Sequence, residues 1–149
     1  MNLRAFSVLC LPLFALLVGC TSAPSPATEP LTSEDEPPVF SVDLVITEDY
    51  AGNPRELSVA LYSSLPPMGP PNHTLFTAEA PELVAGEAFE IDLYDGMPQD
   101  GDYHVYAVVY DVEGGAWVPV EGIDLVGETE PMAFDGSAVS VGVLQMNYR

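Results

Sequence analysis

The chain has 149 residues and carries 23 Asp and Glu against three Lys and Arg, a formal charge of -20. All three cations are arginines, and a field of this sign repels nucleic acid and anionic lipid headgroups, so neither is an expected partner. The acids are scattered rather than blocked, which reads as a solvated surface suited to solubility or to a salty habitat.

At the amino terminus, Arg4 precedes an apolar run from Ala5 to Val18. A positive n-region, a short apolar region and a small residue are the parts of a secretory signal. The run is too short to span a bilayer, which takes roughly 20 apolar residues, and Pro12 interrupts it. Its end, Leu17-Val18-Gly19-Cys20, resembles the lipobox of bacterial lipoproteins. That resemblance implies removal of residues 1–19 and makes Cys20 the first residue of the mature chain. Its sulfur would carry a diacylglyceryl group and its new amino terminus an acyl chain such as palmitate. A single acyl chain gives only marginal anchoring, so several on one residue suit a stable hold. An ordinary secretory signal with an incidental Cys20 is the plainer alternative. Cys10 leaves with the signal, so neither a free thiol nor a disulfide is expected to remain, and stability is left to the core.

Residues 20–38 form the expected tether. Thr21–Pro38 reads TSAPSPATEPLTSEDEPP, which holds too little apolar surface to repay the entropy of ordering. In a polyproline-like state at ~3.1 Å per residue it would reach about 55 Å from the membrane. Thr21 stands where some Gram-negative lipoproteins carry an inner-membrane retention Asp, so the outer membrane is the expected location.

Residues 39–149 have the length of one domain. From Phe40, the apolar residues Val42, Leu44 and Ile46 alternate with Ser41, Asp43 and Thr47, the period of a half-buried strand. Asn53-Pro54 breaks the chain before Leu57, Val59 and Leu61, which alternate with Ser58, Ala60 and Tyr62. Ser64–Asn72 contains four prolines and is expected to be an extended surface loop. A weak strand is expected over Thr74–Ala78. In the next, Phe89, Ile91 and Leu93 point one way and Glu90, Asp92 and Tyr94 the other. Asp102–Val112 is the strongest strand. Tyr103, Val105, Ala107 and Val109 form one face; His104, Tyr106, Val108 and Tyr110 form the other. Apolar residues on both faces predict a central position. Short strands follow near Met132–Phe134 and from Val139 to Tyr148. The expected fold is all-β: an antiparallel Greek-key sandwich of about seven strands.

Met97-Pro98-Gln99-Asp100-Gly101-Asp102-Tyr103 resembles the Pro–Gly–x–Tyr corner of carboxypeptidase regulatory-like domains, which share the transthyretin-like (prealbumin-like) sandwich. Two residues separate Pro98 from Gly101 where one is usual. Gly122-Ile123-Asp124-Leu125-Val126-Gly127 is similar to a Gly- and Asp-rich loop of small envelope lipoproteins with this sandwich. The resemblance implies an accessory or binding module, with structural rather than catalytic motif residues. Gly101 would supply a backbone angle closed to other residues, and Tyr103 would plug the corner.

Three candidate chemistries remain. Asp95, Asp100 and Asp102 are oxygen ligands of the kind calcium takes, but they miss the EF-hand spacing, and Asp and Gly suit any tight turn. His104, Tyr106 and Tyr110 share a strand face, with Trp117 shortly after; such aromatics stack on sugar rings or grip peptides when exposed. Catalysis has no signature: G-x-S-x-G, H-E-x-x-H, P-loop and G-x-G-x-x-G are all absent. The expectation is a lipid-anchored, non-catalytic accessory, binding or structural protein of the bacterial envelope, without a cofactor and with an unidentified protein or glycan partner. The alternative is a carbohydrate-binding module using the aromatic face, and an enzyme ranks last.

Overall fold

The structure is a computed structural model that describes residues 37–111 and 118–149. The signal segment, Cys20, nearly all of the tether and Trp117 lie outside the described residues. Eight strands form: β1 (Phe40–Ile46), β2 (Glu56–Tyr62), β3 (His73–Glu79), β4 (Ala88–Leu93), β5 (Asp102–Tyr110), β6 (Leu125–Glu128), β7 (Met132–Ala133) and β8 (Val139–Tyr148). Among the described residues there is no helix. The chain is all-β.

The strands join in one curled sheet of order β3-β2-β5-β6-β8-β1-β4, and β7 pairs with the first residues of β5. Every pairing is antiparallel except one. β8 runs parallel to β1, from Phe40↔Val139 to Ile46↔Met146. The sheet is therefore mixed, where a wholly antiparallel one was expected. Alternation of apolar residues fixes which face a side chain takes, but it carries no information about strand direction. The last residues of β8 then pair with β6, at Val126↔Asn147 and Leu125↔Tyr148. β8 thus links the two halves of the sheet.

One core is shared by both halves. Phe40, Val42, Leu44 and Ile46 of β1 meet Leu57, Val59 and Leu61 of β2 and Val105, Ala107 and Val109 of β5. Each large aliphatic or aromatic side chain so buried contributes roughly 1.5–3 kcal/mol. β5 lies between β2 and β6, as its two apolar faces require. Its second face, Tyr106, Val108 and Tyr110, packs into a separate cluster with Ala60 and Tyr62 of β2.

The corner before β5 is built on one glycine. Gly101 has φ +130°, and a Cβ there would lie 2.5 Å from the Tyr103 ring. With no side chain at Gly101, that ring folds back over the turn. It packs edge-on against Phe134 (5.9 Å) and His73 (5.4 Å), and its hydroxyl donates to the Asp100 carbonyl at 3.3 Å. The Phe134 amide closes the corner by donating to the Gly101 carbonyl at 2.8 Å. Gly101→Ala is expected to lower stability by about 1–3 kcal/mol, through backbone strain and displacement of the ring. Urea unfolding measures this; an unchanged midpoint would contradict the account.

Candidate functional site

The outer face of β3-β2-β5 carries the aromatic residues that the sequence singled out. Cross-strand register sets Tyr62 opposite His104, Ala60 opposite Tyr106 and Glu56 opposite Tyr110. Small Ala60 leaves room for the Tyr106 ring, which meets Tyr62 edge-to-face at 5.5 Å. A groove of about 190 Å³ runs above these rings, walled by Glu56, Ser58, Thr74, Thr77 and Pro71. Leu65, from the proline-rich connection between β2 and β3, packs against the same cluster.

The three tyrosines are floor rather than platform. Tyr106 is 2 % exposed, and Tyr62 and Tyr110 are each 6 % exposed. Stacking on a sugar requires an open ring face, and these faces are spent on protein neighbours. Arg149 Nη1 donates to the Tyr106 hydroxyl at 2.9 Å. Burial raises the phenol pKa of all three; the Arg149 guanidinium opposes the rise at Tyr106, while neighbouring Tyr62, Tyr106 and Glu56 add to it at Tyr110. The groove is thus a hydroxyl-rich slot with one carboxylate, Glu56, on its wall.

His104 is half-buried at the start of the same face. Its Nδ1 lies 2.8 Å from the Thr129 carbonyl, which can only accept, so Nδ1 carries the proton in this bond. Thr129 also accepts from the Val105 amide through Oγ1 (2.9 Å), and its own amide donates to the Val105 carbonyl (3.0 Å). His104 helps to fix the run-off of β6 onto β5. Neither His104 nor His73 hydrogen-bonds a carboxylate or hydroxyl among the described residues. Asp95 and Asp100 are exposed on the turn before β5, and Asp102 is exposed as the first residue of β5. Among the described residues no three His, Cys, Asp or Glu side chains converge as a metal site would require.

A second polar cluster escaped the sequence reading. Asp124 is fully buried, with Oδ1 accepting from the Asp111 amide (2.9 Å) and Oδ2 from the Val120 amide (2.6 Å). It ties the end of β5 to the approach to β6. Beside it, the Tyr50 hydroxyl donates to Asp111 Oδ1 at 2.8 Å, and burial, reinforced by that carboxylate, raises the Tyr50 pKa. At Gly52 a Cβ would meet the Asp111 carboxylate and the Tyr50 ring, so a larger residue there would displace those side chains. The Gly122–Gly127 run hinted at a special loop, but nothing in its pattern distinguishes a buried Asp124 from the exposed acids around it.

Comparison with known proteins finds no matching family model, no matching curated protein and no matching solved structure.

Asp124→Asn keeps one acceptor but aims an amide N–H₂ at a backbone donor, leaving a buried N–H unpaired. Such a loss costs about 1–3 kcal/mol, and urea unfolding should show it, while an unchanged midpoint would remove Asp124 from its role as clamp. The raised phenol pKa values of Tyr50, Tyr62, Tyr106 and Tyr110 make the folded state bind protons more tightly than the unfolded one. Their stabilisation is present below the ordinary value of 10.0 and is lost as pH rises above it. Ultraviolet titration should show part of the tyrosinate signal appearing together with alkaline unfolding. If all tyrosines ionise before the fold is lost, this assignment is wrong.

Proposed function

We propose that this chain is a lipid-anchored, non-catalytic accessory module of the bacterial cell envelope, held at the outer membrane through Cys20. The observation that carries this reading is the Leu17-Val18-Gly19-Cys20 run, followed by a proline-rich acidic stretch and then a single β-rich unit. On this reading the curled sheet is a two-layer sandwich of the transthyretin-like kind. One layer is β4-β1-β8 and the other β3-β2-β5-β6. Two features support it: inward residues of both sets share one core, and Phe76 of β3 meets Phe89 of β4 at 6.3 Å.

The tether joins the domain just before β1, at the end that holds the proline-rich connection 63–72 and the turn 94–101. The connections 47–55, 80–87 and 118–124 lie at the opposite end of the strands. Burial of Tyr106 and Tyr110 favours the accessory reading over sugar stacking, and His104 held on a main-chain carbonyl gives no support to general acid–base work.

Expression in a Gram-negative host tests the anchor. The exported protein should partition into detergent and carry acyl chains on its first residue by intact mass. The Cys20→Ser variant should stay in the aqueous phase. Equal partitioning of both, or a mature chain starting elsewhere, would overturn the proposal.

A further inference from the structure

The groove over β3-β2-β5 gathers oxygen acceptors around a short apolar floor. Glu56 of β2 stands directly opposite Glu79 of β3, and both side chains lie on the tyrosine face because Glu56 also faces Tyr110 of β5. Like charges set opposite one another on neighbouring strands destabilise a sheet. Asp124 and Asp111, elsewhere in the chain, are satisfied by amides and a phenol of the fold itself. Among the described residues neither Glu56 nor Glu79 has an ion pair.

Tyr110 is the deciding residue. Its side chain is more than nine-tenths buried, yet its hydroxyl has no hydrogen-bond partner among the described residues, whereas the Tyr106 hydroxyl is held by Arg149. No fully enclosed side-chain oxygen or nitrogen of the described residues is left unpaired, so the Tyr110 hydroxyl opens on the groove it lines. Burial and the nearby Glu56 carboxylate raise its pKa, so the phenol stays neutral and its oxygen is available to accept. Ser58 and Thr77, paired across β2 and β3, bring two more hydroxyls to the same wall. Ala60 and Val108 supply apolar surface between them.

We propose that this groove binds a primary ammonium group carried on a short alkyl stem. Such a group has three N–H donors and no acceptor. The Glu56 carboxylate, the Tyr110 hydroxyl and the Ser58–Thr77 hydroxyl pair supply the matching acceptors, and exposed Glu79 adds a second negative charge at the mouth. The stem lies on Ala60 and Val108. At about 190 Å³ the groove is smaller than the ~300 Å³ of ordinary ligand pockets, which suits a group of side-chain size. The chain's charge of -20 concentrates cations near it and repels anions. A calcium ion takes 6–8 oxygens, more than one carboxylate wall offers, and a sugar finds no open ring face. The assignment is independent of Cys20, because the groove forms within β2, β3, β5 and the connection at Pro71.

Isothermal titration calorimetry of the exported full chain in detergent, at fixed ionic strength, tests this with n-butylammonium, tetramethylammonium, magnesium and methyl β-glucoside. Saturable binding of butylammonium is expected, about tenfold or more tighter than tetramethylammonium, which has the same charge but no N–H. Backbone amide NMR shifts should centre on Ser58, Thr77 and Tyr110. Glu56→Gln removes the charge and should weaken butylammonium about tenfold or more; Tyr110→Phe removes one acceptor and should weaken it about threefold or more. Glu90→Gln, an equal change in charge at an exposed site on β4, should leave it unaltered. Thermal melting verifies that each variant is folded. N-acetyl-lysine methylamide separates the two sources of such a group: tighter binding than butylammonium assigns a lysine side chain of another protein, weaker binding a diffusible amine, and both uphold the site. Absence of saturable binding, equal affinity for tetramethylammonium or magnesium, unchanged affinity in both groove variants, or binding of the glucoside instead would overturn the assignment.

Discussion

Strand β5 has to be covered on both faces, and most of the molecule is arranged around that requirement. Val105, Ala107 and Val109 face the shared core. Tyr106, Val108 and Tyr110 face outward, where a bare apolar surface of that size would invite aggregation. The cover comes from two sources at once: Ala60 and Tyr62 alongside on β2, and Leu65 reaching back from the proline-rich connection. That explains a composition otherwise odd for a loop. Prolines at positions 66, 67, 70 and 71 limit the conformations open to the free chain, so less entropy is lost when the segment packs over the tyrosines.

Scarcity of cations shapes the polar side of the fold. The described residues include only Arg55 and Arg149, and Arg149 is used on a phenol rather than a carboxylate. Acids that need partners therefore take main-chain amides and hydroxyls. Asp124 binds the amides of Asp111 and Val120, Asp135 binds the Ser137 amide, and Asp111 and Asp49 accept from the hydroxyls of Tyr50 and Thr47. At Asp135 the Ser137 hydroxyl, and after it the Ser137 amide, hold the carboxyl below its usual range. Hydrogen bonds to fixed dipoles do not depend on a mobile counter-charge as an exposed ion pair does, and salt screens them far less. The interior of this polyanion is thus buffered against ionic strength, while contacts between molecules remain sensitive to it.

Much of this architecture was legible in the sequence, because period-two alternation is a direct imprint of the pleat. The faces of β1, β2, β4 and β5 follow the pattern read from Val42–Ile46, Leu57–Tyr62, Phe89–Tyr94 and Tyr103–Tyr110, and the two-sided burial of β5 places it centrally. Gly101 and Tyr103 also take the corner geometry expected of them. What could not be read is pairing. Nothing in Ala60 or Tyr62 says that they lie opposite Tyr106 and His104, so the filling of the aromatic face from β2 was invisible. Asp124 was missed for a related reason: its burial is set by the amides of Asp111 and Val120, which the fold brings to it.

The parallel contact between β1 and β8 is the least readable feature and the one with the widest consequences. β8 runs parallel to β1 and antiparallel to β6, so the sense of the sheet changes once, between β1 and β8. The four-residue β6 pairs only with the last residues of β8, and Gly127, without a side chain, lies close against Leu144, Gln145 and Met146. Sheet edges are normally defended by lysine, proline or an inward charge. This chain has no lysine, and β8 has neither proline nor charge. As an interior strand between β6 and β1 it needs no such defence, and only the bulge at Gly142 interrupts it. The open edges of the sheet are β3 and β4, and there Glu79, Glu90 and Asp92 set the chain's own charge against pairing with another copy.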